Sequence, residues 1–237
     1  MIVKTSVILL FIVLVIPKSY AKSEKIIACI DDYPPYQILD NVPHGIHITS
    51  LHRLANALNK QLEFIEAPNF GRCVKMLELG QADVIAGLNK NRKRDAFAFY
   101  APYKIEDGHV FISARNNVIN HYSDLANKII GVPRGTTYFE QFEYDKSLNK
   151  TPISNVSTGI QLLLKKRIDV IITSKFVADS LLTEIKTENL ETRTIKREKD
   201  KPYMSFFGFS KKNKLNLTED KIIALTTAAF EQGIFKN

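Results

Sequence analysis

Gly80–Asp95 reads GQADVIAGLNKNRKRD. A glycine closes what precedes it, and a short apolar run follows. The run gives way at once to Gly87, Asn89 and a basic cluster at Arg92, Lys93 and Arg94. Further on, Lys165–Lys175 reads KKRIDVIITSK, so that Asp169-Val170-Ile171 repeats Asp83-Val84-Ile85 at an offset of 86 residues. Apolar residues at helical spacing lead into both copies, as CVKMLELG before the first and GIQLLLKK before the second. A helix followed by a short apolar strand, met twice, predicts an α/β chain that uses one unit in two separate sheets. In open α/β sheets a ligand binds beyond the carboxyl ends of the strands. Those ends carry small polar residues here, Gly87 and Asn89 after the first copy and Thr173 and Ser174 at the end of the second. A third apolar run, KIIGV at 128–132, leads into PRGTTY, where Gly135 lets backbone amides approach a ligand and Thr136 and Thr137 add hydroxyls. Two such edges facing each other make a cleft, and the basic residues past Asn89 give that cleft an anion partner. This is the pattern of a two-lobed protein that closes on a small molecule.

The rest of the chain alternates in the same way. Strands are predicted at 25–30 (KIIACI), 61–67, 83–88, 109–114 and 203–210, and helices over 48–58, 70–79, 158–166, 176–185 and 218–233. Gly80 and Gly233 end two of the helices and Thr218 caps the last. Ser123 is expected to cap the short turn SDLAN. Pro34 and Pro35 stop the first strand, and FAFYAPY at 97–103 is expected to stop at Pro102, because proline cannot donate to a ladder. Strands alternating with helices imply βαβ units and parallel sheets. Asp83 and Asp169 stand before their strands, at the edge away from the cleft, and are assigned a structural part.

The chain opens with Lys4, an apolar run from Val7 to Ile16, and PKSYAKS, with Ser19 and Ala21 at signal-peptidase spacing. Residues 1–21 are therefore expected to be a signal peptide cleaved after Ala21. The apolar run is shorter than the roughly 20 residues that a membrane span needs. Taking away Lys4 and Lys18 lowers the formal charge from +8 to +6, and the remaining charge is scattered. No aromatic-interleaved basic stripe or finger spacing is present, so nucleic acid is not an expected partner. An exported chain meets an oxidising compartment, so Cys29 and Cys73 are expected to form a disulfide, the alternative being two buried thiols. The sequence has no Walker A loop, no glycine fingerprint after a strand and no nucleophile elbow. Its histidines lack metal spacing, and His44 and His47 are taken for a solvated loop entering a helix. No cofactor and no metal are expected.

Taken in order, the stretches IIACIDDYPPYQI, HGIHITSLHRLANAL, FGRCVKMLELGQADVIAGLNKNRKRDAFAFYAPY, SDLANKIIGVPRGTTY, LLLKKRIDVIITS and FFGFSKKN cover about 200 residues. In this order and spacing the chain resembles the extracellular solute-binding proteins of family 3, the polar amino-acid-type periplasmic binding proteins of ABC transporters. The resemblance implies a type II two-lobed fold, each lobe a mixed sheet flanked by helices, joined by two hinge crossovers near Tyr103–Asp107 and Lys201–Ser205. It divides the mature chain into one lobe of residues 22–104 plus 204–237 and a second of residues 105–203. It implies a periplasmic monomer, not an enzyme, that passes a small polar or carboxylate ligand to an inner-membrane ABC permease.

The site it implies has Tyr33 and Phe70 stacking on the ligand, with Tyr36 packed near the hinge. Gly87 and Asn89 stand where the family has a backbone-and-hydroxyl station, and Thr136 and Thr137 match an anion station in the second lobe. Arg94 clamps a carboxylate, with Arg92 the alternative. Two departures stand out. Gly45-Ile46-His47-Ile48-Thr49 replaces the family's acidic G-F-D-V-D segment, and Ser174 replaces the aspartate that pairs with a ligand α-ammonium. Serine adds no charge, so an ordinary α-amino acid needs another acid, Asp31 or Glu106. Two other functions fit the same scaffold. One is a cyclohexadienyl-dehydratase-like enzyme using Glu66, Glu106 or Asp31, and the other is a ligand sensor acting in trans.

Overall fold

A computed structural model of the chain describes residues 25–195 and 203–236. The expected signal peptide and residues 201–202 of the return crossover lie outside the described residues. Strand β1 (Lys25–Ile30) pairs in parallel with β2 (Gln61–Glu66) and with β3 (Val84–Ala86). Its run of apolar residues follows from burial on both faces. Helix α1 (Ile46–Ala57) and the last helix, α6 (Glu219–Glu231), cover one face, where Leu51, Leu54, Phe207 and Phe209 are fully buried. Helix α2 (Phe70–Leu79) covers the other, and Gly80 ends it in the left-handed conformation at φ 71°.

The chain leaves this sheet along β4 (Ala98–Glu106) and enters a second through β5 (His109–Ala114). There β6 (Ile129–Pro133) runs parallel to β7 (Asn149–Ile153) and β8 (Val170–Ser174), while β5 is antiparallel to β8 and to β9 (Leu190–Arg193). Helices α4 (Val156–Leu164) and α5 (Lys175–Ile185) pack on one face, and a short helix, α3 (Glu140–Tyr144), brings Phe142 against the other. The chain returns by β10 (Tyr203–Ser210), which lies antiparallel between β3 and β4, with Tyr203 opposite Glu106. The strand orders are β2-β1-β3-β10-β4 and β7-β6-β8-β5-β9. Both sheets are mixed, so the expectation of parallel sheets holds only for the three strands on one side of each, β2-β1-β3 and β7-β6-β8.

The repeated aspartates have one job in both lobes. The Asp83 carboxylate accepts the Ile27 N–H at 2.8 Å and the Lys214 N–H at 2.9 Å, and that of Asp169 accepts the Ile129 N–H at 2.8 Å. Each pins the strand next to its own. Two local expectations need correction. β4 continues through Pro102, because it is an edge strand whose register against β10 shifts at this point, so no ladder donor is missed. Ser123 does not cap its turn; the Asp124 carboxylate does this, accepting the N–H groups of Asn120 and His121 at 2.9 and 2.8 Å. Cys29 and Cys73 are bonded, tying β1 to α2.

Candidate functional site

A cavity of about 70 Å³ lies between the strand ends of the two sheets. The local sequence explains what reaches it. Tyr33 and Tyr36 sit in the tight turn after β1, where Tyr36 N–H and Gln37 N–H both donate to Tyr33 O at 2.9 Å. Phe70 is the first residue of α2, set by Asn69, whose side chain accepts the Arg72 N–H. Gly87 leaves β3 with φ 76°. Thr136 and Thr137 follow β6, and Ser174 ends β8. All eight residues singled out in the sequence, Tyr33, Phe70, Gly87, Asn89, Arg94, Thr136, Thr137 and Ser174, line this one cavity.

Of the three consecutive cations, Arg92 and Lys93 are exposed and Arg94 is 5% exposed. Asn91 fixes the turn, since its side-chain oxygen accepts the Arg94 N–H at 2.9 Å. The guanidinium donates to the carbonyl of Asn89 at 2.6 Å and, across the cleft, to that of Gly135. Asn89 Nδ2 also crosses, donating to Thr137 O at 2.7 Å, and Asn91 Nδ2 donates to Thr137 Oγ1 at 3.0 Å. Burial lowers the Arg94 pKa to about 10, which still leaves it charged at neutral pH. No carboxylate among the described residues forms an ion pair with it. Two carbonyl dipoles therefore hold a buried cation whose charge is not cancelled, which is the electrostatic condition for an anion.

Ser174 is partly engaged, because its hydroxyl accepts the Val177 N–H at 3.3 Å and so caps α5. The two acids that could replace the missing aspartate differ. Glu106 accepts a hydrogen bond from Tyr36 OH at 2.6 Å and pairs with Lys104 at 2.7 Å, so its charge is already met. The same bond places Tyr36, as expected, at the start of the hinge. Asp31 is 4% exposed and is held by Gln37 Nε2 at 3.3 Å and by the backbone of Phe70. Burial raises its pKa to about 7, opposed by the Gln37 bond and helped by the charge of Asp32. Glu66 is exposed at the end of β2 and does not line the cavity.

Sequence reasoning missed most of the cavity's aromatic and histidine lining. His47 is not in a solvated loop. Gly45, at φ 115°, turns the chain so closely under Tyr36 that α1 begins at Ile46, and His47 is 4% exposed. His109, Tyr138 and Tyr203 also line the cavity, with the His109 ring stacked on Tyr203 at 4.6 Å. A signal existed for the strand-end residues, since each opens or closes a predicted strand. For His47 the signal was its place in the segment that departs from the family's acidic pattern, which did not by itself point to the cavity. Among the described residues no cluster fit to hold a metal ion is present.

Two mixed sheets, paired crossovers and a polar cavity between their strand ends define a two-lobed ligand-binding protein. The chain belongs to the bacterial extracellular solute-binding proteins, family 3, whose family model matches residues 26–195. Among solved structures it is similar to the substrate-binding protein of an amino acid ABC transporter, with TM-score 0.72 and 21% identity over 89% of this chain and 95% of that one. An ancestral arginine-binding protein bound to arginine superposes with TM-score 0.72 and 22% identity, over 90% of this chain and 96% of that one. The P235GK mutant of ArgBP from T. maritima gives TM-score 0.71 and 18% identity, over 89% and 91%. A curated relative, a putative sensor protein of Shewanella frigidimarina, is 25% identical over 150 residues, 60% of this chain and 22% of that protein. The chain thus spans about a fifth of that relative's length.

Proposed function

We propose that this chain captures a small polar ligand through its carboxylate and delivers it, as a periplasmic monomer without catalysis of its own, to an inner-membrane ABC permease. The observation that carries this is Arg94, a buried guanidinium at the cavity with no acid paired to it among the described residues. Tyr33 and Phe70 flank the ligand, and Gly87, Asn89, Thr136, Thr137 and Ser174 bond its polar edge. Asp31 takes an ammonium group where the ligand has one, because Ser174 carries no charge and Glu106 is already neutralised by Lys104. The solved relatives that bind arginine or glutamine support a ligand of amino-acid size. Cleavage after Ala21 releases the mature chain, whose lobes are residues 22–104 with 204–237, and 105–203. A second reading, a binding module that serves a sensor, is favoured by the likeness to part of a putative sensor protein.

The test is a thermal-shift screen of the twenty amino acids and their deaminated counterparts, followed by calorimetry on the strongest hit. A charged hydrogen bond contributes about 1.5–3 kcal/mol, so Arg94→Ala should weaken binding about ten- to a hundredfold. Lys93→Ala should leave it unchanged. A neutral Arg94→Ala would overturn the anion clamp.

A further inference from the structure

The cavity holds one ring whose polar atoms the rest of the protein does not use. His47 lines it from the first turn of α1. Its face stacks on Tyr36 with centroids 4.4 Å apart, and its edge meets Tyr103 at 5.9 Å. Nδ1 is wholly buried without a hydrogen-bond partner, and no described residue bonds Nε2. Gly87 is matched to this ring, since a Cβ there would stand 2.8 Å from His47 Cε1. Burial, and after it the charge of Lys104, lowers the His47 pKa to about 3, so the imidazole is neutral.

Buried polar side chains are nearly always paired, and an orphaned one is costly. Packing alone gives no reason for this cost. Phenylalanine would stack on Tyr36 equally well and would bury no unmet nitrogen. With Nδ1 sealed off, the tautomer carrying its hydrogen on Nε2 buries only a lone pair, which is better tolerated than an unmet N–H. That tautomer leaves one donor for the cavity. We propose that His47 is a ligand-binding residue whose Nε2–H donates to a carbonyl or carboxylate oxygen of the bound molecule. The ligand class becomes carboxylic acids with a second acceptor oxygen, such as side-chain amides, 2-oxo acids and dicarboxylates. A second cation is not accommodated at this end of the cavity, because a neutral imidazole with a buried Nδ1 offers it no charge.

This inference rests on the reading of the cleft as a carboxylate site, and the experiment separates the two. Wild type, Arg94→Ala and His47→Phe are titrated calorimetrically with the twenty amino acids and the 2-oxo acids of glutamate and glutamine. For the tightest probe, loss of a neutral hydrogen bond in His47→Phe should weaken binding about tenfold. The melting temperature of the free protein should hold or rise, and His47→Gln, which keeps an N–H donor, should recover part of the affinity. In protein labelled with 15N-histidine, the His47 ring should stay in its Nε2–H form down to pH 5, and its Nε2 resonance should shift when the probe is added. Unchanged affinity in His47→Phe beside a weakened Arg94→Ala overturns the role of His47 alone. No effect of either substitution, or no probe that binds, overturns both readings. If His47→Phe does not fold, the labelled wild type decides, and an Nε2 signal that ignores the probe sinks the proposal.

Discussion

Asp31 carries an acid into a wall that leaves it 4% exposed and gives it two hydrogen-bond partners, the Gln37 side chain and the Phe70 backbone. Burial puts its pKa at about 7 against an ordinary 3.8. Between those values the folded chain keeps a proton that the unfolded chain has lost. Asp31 therefore stabilises the free protein fully below about pH 4, and that contribution is lost as the pH rises towards 7. In urea titrations at pH 5 and pH 8, Asp31→Asn should raise the pH 8 midpoint and flatten the difference between the two. A variant that follows the wild-type profile would show that the acid is not desolvated. A cationic ligand group has the opposite pull, because it draws the proton off. Binding at pH 6 should then release a proton, seen as a calorimetric enthalpy that depends on the buffer, and Asp31→Asn should abolish the dependence. At this scale the sequence was legible where a residue sits at the end of a predicted strand or in the loop that follows it, as Gly87, Ser174 and Thr136 do. It was silent on Asp31 against Glu106, because the difference is made by Lys104 and Tyr36, which reach Glu106 only once β4 is folded.

At the scale of elements, a repeat in the sequence became a repeat in hydrogen bonding. Asp83 and Asp169 stand one residue before β3 and β8, and each accepts a backbone N–H from the parallel strand beside it, β1 or β6. Their environments differ. Asp83 is buried and bonds a second N–H, that of Lys214, whereas Asp169 is half-buried and holds one. Leaving buried donors unsatisfied costs about 1–3 kcal/mol. Asp83→Ala should therefore lower the urea midpoint more than Asp169→Ala, with the slope of the transition unchanged in both. Equal losses, or the reverse order, would mean that the aspartates do not anchor their strands in this way. The helices were legible from apolar spacing and caps, since Gly80, Thr218 and Gly233 act locally. The end of β4 was not, because whether proline stops a strand depends on whether that strand lies at an edge. Sequence shows Pro102; only the sheet order shows that its neighbour on one side is β10 and that on the other side no described strand pairs with it.

At the scale of the molecule, two lobes were visible because one helix–strand unit recurs, while the antiparallel strands were not. Their direction is set by where the chain crosses between lobes, a contact between residues as far apart as Glu106 and Tyr203. Those crossovers let the lobes meet at one tight point. Gly135, at φ 81°, lies so close to the first lobe that a Cβ would stand 2.4 Å from Gly71 Cα and 2.7 Å from its nitrogen, both backbone atoms that cannot turn aside. Around this point run the bonds from Asn89 and Asn91 to Thr137 and from Arg94 to Gly135. One methyl group there should hold the lobes apart and cost all of these bonds together, while each lobe keeps its own core. Gly135→Ala should accordingly weaken binding of the tightest amino-acid probe by about tenfold or more. In solution scattering, its radius of gyration should stay at the ligand-free value when that probe is saturating, while that of wild type falls. The left-handed backbone itself costs alanine about 1–2 kcal/mol, so a control must share the strain without the clash. Gly233→Ala serves, with φ 73° and only the flexible Lys236 side chain at 3.4 Å. It should lose similar stability and bind as wild type does. If Gly135→Ala binds and contracts like wild type, contact between Gly71 and Gly135 does not govern closure.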